Sequence, residues 1–260
     1  MAEYAPGTPS WVDLSSSDAD ASAAFYGELM GWQATEPGPV EETGGYRMFQ
    51  QDGKNIGGLM PAMQEGQPTA WSTYVSVTDA DETAAKVKEA GGSVVVEPMD
   101  VMDLGRMAFF ADPTGAVFGI WQPKSFPGAD LVNEPNSLCW NECLTRDSET
   151  DKQFYPAVFG WDAGRPQFEG APDTYVVWEL DGRPVGGMME MNEAFPADVP
   201  PHWQVCFAVK DVDAVVNKAR DLGATIIYEP MDMPIGRFAG LIDPQGAAIQ
   251  VMQMTNGGGA

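Results

Sequence analysis

Large and polar residues alternate in the segment WVDLS at residues 11–15, a pattern typical of a half-buried β-strand. A helix should follow, because Ser17 or Asp18 can cap its start and Gly31 is placed to end it. Three short strands are expected next, at residues 33–35, 46–51 and 55–61. The pattern therefore predicts a β-α-β-β-β unit at the start of the chain.

The same order of elements recurs three more times. The second unit begins with WSTYVSV and continues with a helix capped by Asp79, with Glu82 three residues later. Its remaining strands are predicted at VVVEP, RMAFFAD and AVFGIWQ, and a DP-x-G turn precedes the last of them. Residues 140–191 and 203–253 repeat the pattern, with helices expected near residues 148–159 and 212–222.

These four units form an internal duplication. FYGELMGW at residues 25–32 returns as FYPAVFGW at residues 154–161, and Gly57-Gly58 returns as Gly186-Gly187 at the same offset. EPMD and DP-x-G also recur, with small loop changes between the copies. We predict two domains, residues 1–127 and 128–260, joined by an exposed linker near residues 122–135.

The net charge of the chain excludes some classes of binding partner. The chain of 260 residues carries 38 acidic and 14 basic residues, a formal net charge of −24, and so acidic a surface would repel nucleic acid and anionic membranes. No apolar run is long enough for a membrane span, and the N-terminal segment lacks the features of a secretory leader. We therefore expect a cytoplasmic protein, and the odd number of cysteines, three, favours reduced thiols.

A single histidine, His202, limits the metal chemistry of the chain. Sites that need two imidazoles, such as the iron site of two histidines and one carboxylate, cannot be built within one chain. A site made only of carboxylates is still compatible with this composition.

The paired β-α-β-β-β units with DP-x-G before each last strand resemble the glyoxalase / bleomycin-resistance / extradiol-dioxygenase (vicinal oxygen chelate) superfamily. GG-(L/M)-M and EPMD further resemble its two-domain actinobacterial members, often named hydroxylases and sometimes found with polyketide antibiotic pathways. The resemblance implies an α+β fold in which two tandem domains each curl their sheets around a ligand cleft. It also implies eight positions for metal ligands, which hold Trp11, Gly58, Ser72, Gly119, Trp140, Gly187, Gln204 and Gln250. None is a histidine or a carboxylate, so we expect no metal and no other cofactor.

Strand alternation predicts which residues face the clefts. Val12 and Leu14 should pack on the first helix, which places Asp13 on the concave side. Glu142 occupies the equivalent position, and burial beside a tryptophan would raise the pKa of either carboxyl group enough for acid or base catalysis. The alternative is that both carboxylates bond to neighbouring backbone or to an arginine. The residues predicted to bind a ligand are Trp11, Met60, Ser72, Tyr74, Arg106, Trp140, Gln204, Arg237 and Gln250.

Several of these residues have a structural interpretation as well. The tryptophans at strand starts either stack on a flat ligand or plug the ends of the sheets. Arg106 and Arg237 either pair with Asp13 and Glu142, hold an anionic ligand, or form structural ion pairs. Glycine within a strand at Gly58 and Gly187 indicates either a bulge or the close approach of a ligand or neighbouring backbone.

Three functions remain open. The first is a metal-independent protein that binds a small, largely apolar, aromatic or polyketide-like molecule, with a role in antibiotic biosynthesis or resistance. The second is a metal-free enzyme in which Asp13 or Glu142 moves a proton. The third is an enzyme with magnesium, calcium or manganese bound by carboxylates alone. The first needs only an apolar cleft, and because the domains are fused, a monomer suffices for it.

Overall fold

The computed structural model describes residues 4–166, 174–193 and 195–255. The ends of the two predicted domains, residues 1–3 and 256–260, and residues 167–173 of the third repeat lie outside this range. Within it the chain forms two eight-stranded sheets and five helices. None of these helices has the length and apolar character needed to cross a bilayer.

The first half of the chain builds one complete sheet. Its strands are β1 (Pro9–Ser16), β2 (Gln33–Ala34), β3 (Arg47–Gln51), β4 (Lys54–Pro61), β5 (Ala70–Ser76), β6 (Ser93–Val101), β7 (Gly105–Ala111) and β8 (Val117–Pro123), and its helices are α1 (Ala19–Met30), α2 (Val40–Thr43) and α3 (Ala80–Glu89). The strand order is β2-β3-β4-β1-β5-β8-β7-β6. The antiparallel pair β1 and β5 joins the two units at the centre of the sheet.

The second half repeats this arrangement. Its strands are β9 (Leu138–Thr145), β10 (Asp162–Gly164), β11 (Val176–Leu180), β12 (Arg183–Glu190), β13 (His202–Ala208), β14 (Thr225–Met233), β15 (Gly236–Ile242) and β16 (Ala248–Met254), with helices α4 (Ser148–Phe159) and α5 (Val212–Asp221). The order β10-β11-β12-β9-β13-β16-β15-β14 is the same as in the first sheet. The predicted α+β fold of four β-α-β-β-β units is confirmed.

Local sequence signals account for the boundaries of the elements. Asp18 caps α1 by accepting a hydrogen bond from the backbone of Ala21, and Gly31 ends that helix at a φ of 77°. Asp52 and Gly53, both at positive φ, make the tight turn between β3 and β4. The short helix α2, which buries no side chain, is the only helix in the described residues that the pattern did not predict.

Each hydrophobic core is shared between the two halves of the chain. In the first core, Val12 and Phe25 of the first unit pack in one cluster with Phe207 and Val216 of the fourth. The second core joins the second unit with the third in the same way, Phe118 lying in one cluster with Phe154 and Trp161. The face of each sheet that its helices cover is therefore buried by apolar residues from both halves of the chain.

Two matching hydrogen-bond chains cross between the halves. Trp71 Nε1 donates to the Tyr26 hydroxyl at 2.9 Å, and that hydroxyl donates to Asp243 at 3.0 Å. In the second core, Trp203 donates to Tyr155 at 2.9 Å and Tyr155 donates to Asp112 at 2.7 Å. Both aspartates belong to the DP-x-G turns, so these turns hold the two halves together as well as connecting strands.

The linker differs from the prediction of an exposed connection. Lys124 and Ser125 are exposed, but Ala129 is only 1% exposed and its backbone nitrogen donates to Ser10 of β1 at 2.9 Å. The Tyr4 hydroxyl donates to the Ala129 carbonyl at 2.8 Å. The reason is that apolar residues interrupt the polar composition of the linker, and Phe126 packs on Trp11 and Trp121.

Candidate functional site

The concave face of each sheet carries one buried carboxylate at its centre. Val12 and Leu14 lie in the first core, so strand alternation turns Asp13 to the opposite face, as predicted. Asp13 faces Ser72 across the central strand pair, and Glu142 faces Gln204 in the second sheet. Residues directly opposite in an antiparallel pair share a face, so these four side chains lie on the faces of the two sheets that point away from the shared cores. We call these faces the first and the second hollow, because the resemblance implies that they are concave.

Two tyrosine hydroxyls hold Asp13. Tyr74 donates to Oδ2 of Asp13 at 2.8 Å and Tyr46 donates to the same atom at 3.3 Å, while Trp11 Nε1 donates to the Tyr46 hydroxyl at 2.9 Å. Asp13 is 3% exposed, and desolvation raises its pKa to about 6 although both hydrogen bonds favour the charged form. The carboxyl group therefore keeps its proton to a higher pH than an ordinary aspartate does.

Glu142 has a matching environment in the second sheet. Trp140 Nε1 donates to the Tyr175 hydroxyl at 3.0 Å, and Tyr175 hydrogen bonds to Glu142. Gln250 Nε2 donates to Oε2 of Glu142 at 3.3 Å. Glu142 is 7% exposed, and burial raises its pKa against the effect of these two hydrogen bonds. A neutral amide therefore replaces the second tyrosine hydroxyl of the first sheet.

The strand glycines make room for these tyrosines. A Cβ on Gly58 would overlap the Tyr46 hydroxyl, and a Cβ on Gly187 would overlap that of Tyr175. At Gly58 and Gly187 the close group is thus a side chain of the same sheet, not the ligand or backbone that we expected. Neighbouring backbone does approach Gly57 and Gly186, and the register of the strand pair shifts next to each of them, as the bulge alternative predicted. Tyr46 and Tyr175 are not among the predicted site residues, although they recur at the duplication offset that relates Gly58 to Gly187.

The first hollow is filled by protein. Trp11, Tyr74, Trp121 and Ala129 form a buried cluster on the concave side of the first sheet. Phe126 of the linker packs against this cluster, and its carbonyl accepts a hydrogen bond from Trp121 Nε1 at 2.7 Å. The linker thus covers part of the concave face of the first sheet, and little of that face is left for a ligand to contact.

The second hollow is less completely covered by the described residues. Tyr74 and Trp121 are replaced there by Cys206 and Met252 in the corresponding strands, and no comparable cluster forms among these residues. The concave side chains that keep partial exposure are Cys139, Trp140, Tyr175, Tyr228, Gln250 and Met252.

Two polar atoms of this hollow lack hydrogen bonds of normal geometry within the described residues. Gln204 is 6% exposed, and its side-chain nitrogen is buried without a partner. The Tyr228 hydroxyl is also buried without a partner at normal geometry, although the Gln250 side chain lies close enough for a weak hydrogen bond. Buried polar groups are normally paired, so these two atoms are available to a bound molecule or to water.

The predicted arginines do not reach the carboxylates of the hollows. Arg106 binds Asp81 at 3.0 Å and Asp100 at 3.3 Å. Arg237 binds Asp213 at 2.8 Å and Asp232 at 2.9 Å. Both guanidinium groups therefore connect the start of a helix to an outer strand. Of the predicted alternatives, structural ion pairs are confirmed, and pairing with Asp13 and Glu142 is wrong.

The remaining predicted residues divide between the hollows and the cores. Trp11 and Trp140 lie on the concave faces, whereas Trp71 and Trp203 lie in the shared cores. Met60 lies near the end of β4, two residues after Gly58, and is half-buried. It pairs in register with Ser15 of β1. The structure thus separates the two pairs of tryptophans that occupy equivalent strand starts.

The chain matches a family model described as Glyoxalase/Bleomycin resistance protein/Dioxygenase superfamily over residues 8–120 and 142–251. It is 39% identical to the anthracycline biosynthesis protein DnrV of Streptomyces peucetius, over 99% of this chain and 97% of that protein. It is 40% identical to the anthracycline biosynthesis protein DauV of Streptomyces sp. (strain C5), over 98% of this chain and 96% of that protein.

A structural likeness extends to the Mn(II)-bound glyoxalase from Novosphingobium aromaticivorans. The TM-score is 0.64 at 18% identity, covering 95% of this chain and 82% of that one, so the likeness concerns the fold alone.

The donor sets of the two hollows do not fit such a metal ion. At the centre of each of these faces, the described residues place one buried carboxylate, surrounded by hydroxyls, indoles and, in the second sheet, neutral amides. Within the described ranges, three metal-ligating side chains converge only at Asp112, Cys143 and Asp151, whose ligand atoms lie within 4.8 Å of one another. That cluster belongs to the second core, on the other side of the sheet.

Proposed function

The chain belongs to the Glyoxalase/Bleomycin resistance protein/Dioxygenase superfamily, and from this premise we propose that it binds a small, largely apolar molecule without a metal ion. The binding site is the concave face of the second sheet. The observation that carries this proposal is the difference between the hollows: protein side chains fill the first, whereas the second keeps partly exposed aromatic groups and unpaired polar atoms.

The residues of the second hollow favour a flat aromatic ligand with a hydroxyl group next to a carbonyl group. Trp140 offers a partly exposed indole face for stacking. The Gln204 amide nitrogen and the Tyr228 hydroxyl can donate to a carbonyl oxygen, and Glu142 can accept from a phenol. A role in the biosynthesis of an aromatic polyketide fits this chemistry and the names of the relatives from Streptomyces.

The proposal can be tested with quinizarin, a dihydroxyanthraquinone, by isothermal titration calorimetry. Gln204→Ala should weaken binding about tenfold, the effect of losing one hydrogen bond in a buried site. The matched control is Ser72→Ala, which changes the corresponding position of the filled hollow and should leave the affinity within about twofold. Equal losses in both variants, or an unchanged affinity in Gln204→Ala, would contradict the assignment of the site.

A second candidate function is metal-free acid-base catalysis on the same molecule. It is favoured by the raised pKa of Asp13, about 6, and by the raised pKa of Glu142. Glu142 has the stronger claim because its hollow is the less filled of the two.

Glu142→Gln separates binding from catalysis. If the protein is an enzyme, this variant should lose roughly 100-fold or more in turnover, because proton transfer is removed, while the Kd for quinizarin stays within about threefold. Asp13→Asn, in the filled hollow, is the control and should retain turnover. Mass spectrometry of quinizarin after incubation with each protein measures conversion, and an unaltered compound with the native protein would favour binding alone.

A further inference from the structure

Two cysteines lie close together on the adjacent central strands of the second sheet. The Cys139 thiol on β9 lies 3.8 Å from the sulfur of Cys206 on β13, and it donates to the Cys206 carbonyl at 3.4 Å. The register shifts at this point, so that Trp140 pairs with Cys206 but Leu138 pairs with Phe207. Cys139 is thus the extra residue of a β-bulge, which turns its side chain toward the neighbouring strand.

A short movement of the side chains would join these sulfurs. A disulfide needs sulfurs about 2.05 Å apart and Cβ atoms roughly 3.5 to 4.5 Å apart, spacings that adjacent strands can supply. Rotation about the side-chain bonds can close the remaining gap, and the unpaired bulge residue is the one best able to adjust. The corresponding positions of the first sheet are Ser10 and Tyr74, so the pair exists only in the second domain.

We propose that Cys139 and Cys206 form a reversible disulfide when the protein meets a peroxide. Cys139 is half-buried and can be reached from solvent, whereas Cys206 is almost fully buried. The Cys139 thiolate attacks one peroxide oxygen, the O–O bond breaks, and a sulfenic acid and one water form. The Cys206 sulfur then attacks the Cys139 sulfur, the S–O bond breaks, and a second water leaves. Two thiols are oxidised by two electrons, and one hydrogen peroxide is reduced to two waters.

The third cysteine provides an internal control. Cys143 is buried in the second core, where its sulfur lies 3.7 Å from the Tyr155 hydroxyl. Burial and the nearby carboxylates Asp112 and Asp151 raise the pKa of the Cys143 thiol, and the contact with Cys139 and burial raise the pKa of the Cys206 thiol, so geometry distinguishes the two. The Cys206 sulfur lies 3.8 Å from a second sulfur, whereas Cys143 is fully buried beside a tyrosine hydroxyl, so Cys143 should stay reduced under conditions that oxidise the other two.

The experiment uses the full chain, reduced, freed of reductant and then exposed to hydrogen peroxide. After denaturation and alkylation, mass spectrometry should show the loss of two of the three free thiols and a peptide pair linked through Cys139 and Cys206. Dithiothreitol should restore all three thiols. The disulfide should also raise the melting temperature by on the order of 5 °C, because it closes a long loop.

Single variants identify the attacking residue and the specificity of the pair. Cys143→Ser should behave as the native chain does. Cys206→Ser should accumulate a sulfenic acid at Cys139 that dimedone traps, whereas Cys139→Ser should give little dimedone adduct and no link. The proposal is overturned if peroxide links Cys143 to either partner, gives only disulfides between chains, or leaves all three thiols free.

Discussion

Buried carboxyl groups at single positions are where we expect the stability of this molecule to depend on pH. Asp151 on α4 is fully buried. Among the described residues, none donates a hydrogen bond of normal geometry to its oxygens, although the Thr145 hydroxyl lies close enough to favour the charged form. Desolvation, followed by the charge of Asp112, raises the pKa of Asp151 to about 7. Cys143, Tyr155 and Asp147 are the other titratable groups near it.

Asp151→Ser should change the pH dependence of stability. Because the pKa of Asp151 is higher in the folded chain than its ordinary 3.8, the folded state binds the extra proton, and the free energy of unfolding falls as pH rises from 3.8 to about 7. Asp151→Ser should not show this dependence on pH. The difference in the free energy of unfolding between the variant and the native chain should shift in favour of the variant by on the order of 3 kcal/mol between low pH and pH 7. Urea unfolding at a series of pH values measures both quantities.

The equivalent residue in the other core supplies the control. Ser22 on α1 occupies the position of Asp151 and hydrogen bonds to Ser16 at 2.7 Å. Ser22→Ala removes a buried hydroxyl without removing a titrating group, so its stability should differ from the native chain by the same amount at every pH. If the free energies of unfolding of Asp151→Ser and of the native chain change with pH in parallel, Asp151 does not cause the pH dependence.

At the scale of single elements, most of the architecture follows from the sequence. The predicted strand at residues 55–61 is found as β4 (Lys54–Pro61), and the helix expected near residues 148–159 is found as α4 (Ser148–Phe159). These elements carry local signals: a capping aspartate, a glycine after the helix, or alternation with period two. The resulting face assignment placed Asp13, Tyr74 and Gln250 on the concave side. Tyr74 donates a hydrogen bond to Asp13 there, and Gln250 donates one to Glu142.

The contacts that depend on distant parts of the chain could not be predicted in this way. Tyr46 reaches Asp13 only because β3 and β4 bring its segment next to β1, an arrangement that no local pattern encodes. Phe126 lies in a segment whose prolines and polar residues are typical of an exposed linker, and its burial depends on a hollow made by other strands. The ion pairs of Arg106 and Arg237 likewise depend on which helix starts beside which strand.

At the scale of the whole molecule, the shared cores make the two halves dependent on each other. Each core combines apolar residues from both sheets, and the crossing hydrogen bonds from Tyr26 and Tyr155 are buried with them. A half-chain alone would expose these faces to water, at a cost of about 25 cal/mol for each Å² of apolar surface. This organisation also explains how a fused pair of domains can cover its convex faces within one chain.

Residues 1–127 and 128–260, produced separately, should therefore fail to show a cooperative thermal transition, because each lacks part of both cores. Mixed together, they should form a one-to-one complex that recovers the near-ultraviolet circular dichroism of the full chain. As a control, the full chain cut once at the exposed residues Lys124 and Ser125 should stay associated during size-exclusion chromatography. A half that unfolds cooperatively by itself would show that the cores are separable.

The burial of the linker makes the two copies of the duplication unequal. The segment that follows the first sheet enters the hollow of that same sheet, where Phe126 and Ala129 take space that a foreign molecule would otherwise occupy. This segment leaves β8 directly at Pro123, so the first copy fills its own hollow with its own chain. Under the proposed function the first copy then serves as scaffold, and a change of ligand needs substitutions in the second copy alone.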